Sequence, residues 1–166
     1  MQGKWVNVSI ALVVLLLAFY LYNRYRVAPE LFIGKLELTD LEGKAVKLES
    51  EGKAMVLSFA ASWCGPCMKE LRELKKVQHE VLPVAKVVVI SDESLQKISH
   101  LREQGQYEFN FYKLEGGFSG IGINSIPTTY LLNSKGEVLK KEVGYMDWSD
   151  DSTRQHLLKI LSKGTE

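Results

Sequence analysis

Cysteine and histidine are scarce in this 166-residue chain: there are two of the first and three of the second. Two cysteines cannot build a disulfide scaffold for a chain of this length, which buries enough core without one. Cys64 and Cys67 therefore need a local explanation. A closed zinc site takes four ligands. There is no second Cys-x-x-Cys, and His79, His100 and His156 share no ligand spacing, which argues against structural zinc. A charge excess is missing too: the net charge is +1, so nothing points to a nucleic-acid partner. Internal repeats and low-complexity segments are absent. Ordinary apolar (46%) and charged (25%) shares over this length favour one packed domain.

Charge is absent altogether from residues 5 to 23. Within that gap Val6 to Tyr22 reads VNVSIALVVLLLAFYLY, wholly apolar or aromatic from Ile10 onward. A helix there would reach roughly 26 Å at about 1.5 Å per residue, the short end of a bilayer span. Trp5 at one end and Tyr20, Tyr22 and Tyr25 at the other suit the two interfaces. Bases flank the run on both sides, which suits a membrane better than a buried core helix. A cleaved signal peptide would want small residues at −3 and −1. The best candidate, Arg26-Val27-Ala28, puts arginine at the first. No cysteine follows the run, so a lipoprotein anchor is excluded. The expectation is an uncleaved anchor and tether over residues 1–29 and a folded domain over residues 30–166. Lys4 and the α-amine on one side balance Arg24 and Arg26 on the other, so charge leaves the orientation open.

Beyond the anchor, Lys35 to Leu48 alternates about Leu41-Glu42-Gly43-Lys44, a hairpin signal. Ala54 to Ala60 and Val84 to Ile90 are apolar runs of the kind that a strand covered on both faces needs. From Cys64 the period turns helical. Cys67, Leu71, Leu74 and Gln78 share one face, and Lys69, Arg72, Glu73, Lys75 and Lys76 take the other. Ser91-Asp92 is a candidate cap for a helix carrying Leu95, Ile98 and Leu101. Tyr107 to Leu114 reads as extended, and Glu115 to Ser125 as a glycine-rich loop with room for one helical turn. Thr128–Leu132 and Glu137–Val143 flank an Asn-Ser-Lys-Gly turn, and a last helix starts near Asp150. Strands separated by helices imply a mixed sheet with helices on both faces.

Cys64 falls where a strand gives way to a helix. Unpaired N–H groups and the helix dipole stabilise a thiolate at that place, which makes Cys64 the natural nucleophile. Cys67, one turn later, is the resolving thiol. Gly65 lets the backbone turn and Pro66 suits the first helical turn. Such a dithiol attacks a disulfide, passes through a mixed disulfide and releases itself by internal attack. Cu(I) transfer through the same two thiolates stays open, since soft ligands suit that ion.

Trp63-Cys64-Gly65-Pro66-Cys67 resembles the thioredoxin active-site pentapeptide. With LTDLEGKAVKL, IPTTYLLNSKGEV and Gly144…Asp147-Trp148 in order around it, residues 35 to 161 resemble the TlpA/ResA-like branch of membrane-anchored thiol–disulfide oxidoreductases. The resemblance implies an α/β thioredoxin-like fold, here with an N-terminal transmembrane helix. It implies that Pro127 is the family's cis-proline, packed near the cysteines, with its neighbour Ile126 and with Trp63, Gly65 and Pro66 facing the substrate. It implies that Glu70 handles protons during exchange, which a carboxylate can do if burial raises its pKa towards neutrality. The chain departs from thioredoxin at Ser58, where thioredoxin has a buried aspartate, and Glu70 lacks the following proline common in the branch. Lys86 corresponds loosely to a lysine near thioredoxin's site.

Neither Gly65 nor Pro66 can hold a thiolate as the histidine of strong oxidants does, so the expected polarity is reducing. The resemblance then implies protein disulfide substrates and a membrane electron donor of the DsbD or CcdA kind. It implies a catalytic domain on the periplasmic or outer face of a bacterial cytoplasmic membrane. Clients would be apocytochrome c or copper-site assembly proteins. No cofactor beyond the redox-active Cys64–Cys67 disulfide is implied, and a monomer is expected. A disulfide-forming oxidase and a Cu(I) chaperone are the alternatives.

Overall fold

In the computed structural model residues 2–164 are described, with side chains from 8 to 23 and from 27 onward. The seven strands are β1 (Leu38–Thr39), β2 (Ala45–Val46), β3 (Ala54–Phe59), β4 (Ala85–Ser91), β5 (Asn110–Leu114), β6 (Thr128–Leu132) and β7 (Val138–Val143). They form one mixed sheet in the order β2-β1-β5-β4-β3-β6-β7. β3 and β4 pair in parallel, as do β4 and β5, while β6 runs antiparallel to β3. Every residue of β3 is buried, which is why its sequence is an apolar run and does not alternate.

Parallel neighbours need crossovers, and helices supply them: α2 (Gly65–Lys76) between β3 and β4, and α4 (Leu95–Gly105) between β4 and β5. Both crossovers step the same way across the sheet, so right-handedness puts both helices on one face. The terminal helix α6 (Asp151–Lys163) joins them there. Leu71, Leu74, Ile98, Leu101, Leu157 and Leu161 pack with Val56, Val87 and Val89 in one cluster, which also takes in both cysteines. The opposite face is covered more lightly. Its cluster joins Leu57, Phe59, Val88, Ile90 and Tyr130 to Phe118 of the one-turn helix α5 (Gly117–Gly120). Ala28, Leu31 and Leu36 pack there too, and the Tyr130 hydroxyl donates to Pro29 O at 2.9 Å. Residues 28 and 29, expected in a tether, thus belong to the folded part.

Local chemistry explains most boundaries. At the β6–β7 turn Asn133 Oδ1 accepts from the N–H groups of Lys135 and Glu137, and Gly136 takes φ 81°, which a side chain disfavours. Asp150 caps α6 by accepting from Thr153 N at 2.7 Å. The cap of α4 differs from expectation. Ser94 occupies the N-cap position, because Ser91 still belongs to β4 and the Asp92 carboxylate accepts from Phe118 N instead. The helix begun at Gly65 stops at Lys76, and Gln78 starts a separate short helix, α3 (Gln78–Val81).

The first helix, α1 (Gln2–Arg26), carries exposed apolar side chains throughout residues 8–23. Among the described residues no helix is long and apolar enough to cross a membrane. Val6 and Asn7 of the apolar run, with the flanking Lys4, Trp5, Arg24, Tyr25 and Arg26, lie outside the described side chains.

Candidate active site

The site is built where β3 ends and α2 begins. After Phe59 the chain turns through Ala60 and Ala61, and Cys64 N–H donates to Ala61 O at 3.0 Å. Cys64 is the N-cap of α2 and Pro66 lies in its first turn, where a missing N–H costs nothing. The two cysteines form a disulfide with their Cα atoms 5.2 Å apart. Cys64 Sγ accepts from Cys67 N–H at 3.2 Å. That donor, at the positive end of the helix, would hold a thiolate on Cys64. Cys64 keeps 5% of its surface exposed and Cys67 none, so a partner sulfur can reach only Cys64. Trp63 stands beside it, 71% exposed. Gly65 and Pro66 are exposed as well.

Pro127 is buried and its peptide bond with Ile126 is cis, as the resemblance implies. The register pairs Thr128 with Phe59, so Pro127 sits at the cysteine end of the sheet. Its carbonyl accepts from Gly144 N at 2.8 Å. Ile126 is half-buried and packs against the cluster that holds both cysteines. Among the described residues the backbone N–H and C=O of Ile126 have no backbone partner.

Glu70 lies on the buried side of α2, 1% exposed. Its Oε1 accepts from the Thr129 hydroxyl at 2.7 Å and its Oε2 from Met146 N at 2.9 Å. Thr129 faces Ser58 across β3 and β6, their hydroxyls 3.3 Å apart. Burial pushes the Glu70 carboxyl up to about 7. The Met146 and Thr129 donors pull the other way, and the Glu73 and Glu142 carboxylates add to the rise. A carboxyl near neutrality can give or take a proton at physiological pH.

Lys86 is not part of this site. It pairs with Met55 near the start of β3, about four strand residues, or roughly 13 Å, from the cysteine end. Its ammonium binds Glu49 O and the Glu51 carboxylate. Glu73, expected on the solvent face of α2, is buried under Tyr145, whose hydroxyl donates to it. One residue that the sequence did not single out is Glu93. Its carboxylate accepts from Ser62 N at 2.6 Å and Ser62 Oγ at 2.8 Å, fixing the loop just before Trp63-Cys64. The signal for it was slight, an acidic residue after an apolar strand, because its partner lies 31 residues away. Among the described residues no group of three or more His, Cys, Asp or Glu side chains is placed to hold a metal.

Residues 27–158 match the Redoxin family model. The thiol-disulfide oxidoreductase ResA of Bacillus cereus is 29% identical over 133 residues, covering 77% of this chain and 73% of that protein. The sporulation thiol-disulfide oxidoreductase A of Bacillus subtilis is 27% identical, covering 74% of this chain and 80% of that one. Among solved structures, a protein from Chlorobium tepidum described as a putative thiol:disulfide interchange protein DsbE superimposes with a TM-score of 0.65 at 25% identity. That match covers 80% of this chain and 99% of that one.

Proposed function

The chain belongs to the Redoxin family as a ResA-like thiol–disulfide oxidoreductase, and from that premise we propose that it is a membrane-tethered reductase of disulfides in exported proteins. The observation that carries the reading is the asymmetry of the cysteine pair, with Cys64 at the rim of the site and Cys67 sealed behind it.

In the reduced protein the Cys64 thiolate attacks one sulfur of a substrate disulfide and expels the other as a thiolate, leaving a mixed disulfide. The Cys67 thiol gives its proton to the Glu70 carboxylate. The Cys67 thiolate then attacks Cys64 Sγ and expels the substrate's second sulfur. Two electrons pass to the substrate, whose two thiolates take one proton back from the Glu70 carboxyl and one from water and leave as a dithiol, and the protein is left with the Cys64–Cys67 disulfide. The substrate lies along Ile126 and Pro127, its backbone bonding to that of Ile126, with Trp63, Gly65 and Pro66 forming the wall around the attacked sulfur.

Gly65 and Pro66 supply no side-chain stabilisation of a Cys64 thiolate, which favours the reducing polarity. The exposed apolar side chains of α1 need a non-aqueous cover, and a bilayer is the cover that the uncharged stretch from 5 to 23 suits. The domain then works as a monomer on the periplasmic or outer face of a bacterial cytoplasmic membrane, recharged by a membrane donor of the DsbD or CcdA type. Apocytochrome c and copper-site assembly proteins are the proposed clients. Trapping in cells tests the reading: Cys67→Ala should accumulate mixed disulfides with exported proteins and Cys64→Ala none. A Cys67→Ala protein that captures no partner would sink it.

A further inference from the structure

α2 carries a second feature beside the cysteine pair. A groove of about 460 Å³ runs between α2 and the end of α4, lined among others by Met68, Arg72, Lys75, Lys76, Leu101 and Tyr107. Its floor is apolar: Leu101 and Tyr107 are buried and Met68 is half-buried. Its walls hold three cations and no acidic side chain. Lys75 is fixed, donating to Gly105 O at 2.6 Å with its ammonium 5.9 Å from the centre of the Tyr107 ring. Arg72 and Lys76 are exposed and enter no ion pair among the described residues. Some cations of the domain are matched, Lys69 with Glu73, Lys97 with Glu93, Lys141 with Glu30 and Arg154 with Glu80, and others such as Lys47 and Arg102 are, like Arg72 and Lys76, in no ion pair among the described residues.

A charged helix face is ordinarily only solvated. Two features set this one apart. Its free cations stand over an apolar floor, and the groove begins one residue after Cys67. Met68 follows Cys67 directly, and its N–H donates to Cys64 O at 3.0 Å. From Cys64 the far wall at Lys76 is roughly 18 Å along the helix at about 1.5 Å per residue. An extended peptide covers that in about five or six residues.

We propose that this groove docks an acidic segment of the substrate protein, lying within about five or six residues of the cysteine that Cys64 attacks. The inference rests on the disulfide-exchange reading and gives it a substrate class: proteins whose disulfide is flanked by carboxylates next to an apolar side chain. An anionic membrane fits the groove less well. Flat anionic surfaces are bound by clusters of about four to eight bases, and this groove is concave and has fewer.

The test is single-turnover kinetics with the pre-reduced full chain in neutral detergent, followed by the fluorescence change as Cys64–Cys67 closes. The probes are synthetic peptides with one cysteine capped by mercaptoethanol as a mixed disulfide. They differ only in carrying aspartates, asparagines or lysines about five residues from the cysteine. Each turnover oxidises the two protein thiols and releases the peptide thiol and mercaptoethanol. At low salt the aspartate peptide should react roughly tenfold faster than the asparagine one, as charge steering allows. That ratio should fall towards one in about 0.5 M salt and in Arg72→Gln/Lys76→Gln, and invert in favour of the lysine peptide in Arg72→Glu/Lys76→Glu. Equal rates for the three peptides would overturn the inference and leave the exchange reading standing. Failure of every peptide to oxidise the protein would overturn both. A rate set by the anionic lipid content of vesicles carrying the chain, and not by peptide charge, would overturn it in favour of a membrane surface.

Discussion

Two buried carboxylates flank the cysteine pair, and they are provided for differently. Glu93, on the loop after β4, accepts from the N–H and hydroxyl of Ser62 and has an ammonium beside it, Lys97 at 3.6 Å. Glu70, on α2, accepts from one hydroxyl and one N–H, and the charged groups acting on it, Glu73 and Glu142, are themselves acidic. Glu93 thus has a counter-charge at hand, whereas the acidic neighbours of Glu70 add to the push of burial towards its protonated form. The difference teaches that burial alone does not make an acid–base group. Glu93 holds the loop just before Cys64, while the Glu70 carboxyl is pushed to about 7, the state that the proposed proton transfer needs.

The strongest way to break this contrast is at Glu70. Glu70→Gln should slow exchange by about a hundredfold at pH 7, the lower range of what a positioned acid–base group contributes. Glu93→Gln should slow it only a few-fold. Stopped-flow rates for the two variants would check this, and comparable losses would erase the distinction. Stability against pH comes next. The folded Glu70 carboxyl sits at about 7 against 4.5 for an ordinary glutamate. The folded state therefore holds its proton between those values while the unfolded chain does not. That contribution is fully present below about pH 4.5 and is lost as the pH rises through 7, on the order of 3 kcal/mol in all. Denaturant titrations of the oxidised protein at a series of pH values should show the decline, and Glu70→Gln should flatten it.

Smaller effects sharpen the other side. Glu93→Gln should cost on the order of 1 kcal/mol of stability, because one Ser62 donor loses a charged acceptor at a part-buried place. Thr129→Val removes a donor that pulls the Glu70 pKa down, so the pH midpoint of exchange should move upward; a downward move would mean that the hydroxyl is not serving the carboxylate. Lys97→Met, at an exposed ammonium, should cost less than about 1 kcal/mol.

The fold was largely legible because its signals are local. The apolar runs at β3 and β4, the helical period after Cys64 and the Asn133–Gly136 turn each follow from neighbours in sequence. The cysteine pair and its place at a helix N-terminus were legible for the same reason. Glu70 and Pro127 came through family resemblance, since nothing in residues 68–72 says that position 70 will be buried beneath β6 and the Met146 loop. What stayed hidden was long-range. Tyr145 buries Glu73 from 72 residues away and Glu93 reaches Ser62 across 31, contacts that no periodicity encodes. The α4 cap was misplaced because β4 runs on through Ser91 and leaves the capping position to Ser94.

The central claim is that this dithiol gives electrons to its substrates. The reduction potential of the Cys64–Cys67 pair, measured on the full chain equilibrated with dithiothreitol or glutathione at pH 7, tests it most directly. The account predicts a value at or below about −220 mV, in the range of reductants. A value near about −120 mV would contradict it and make the protein a disulfide-forming enzyme.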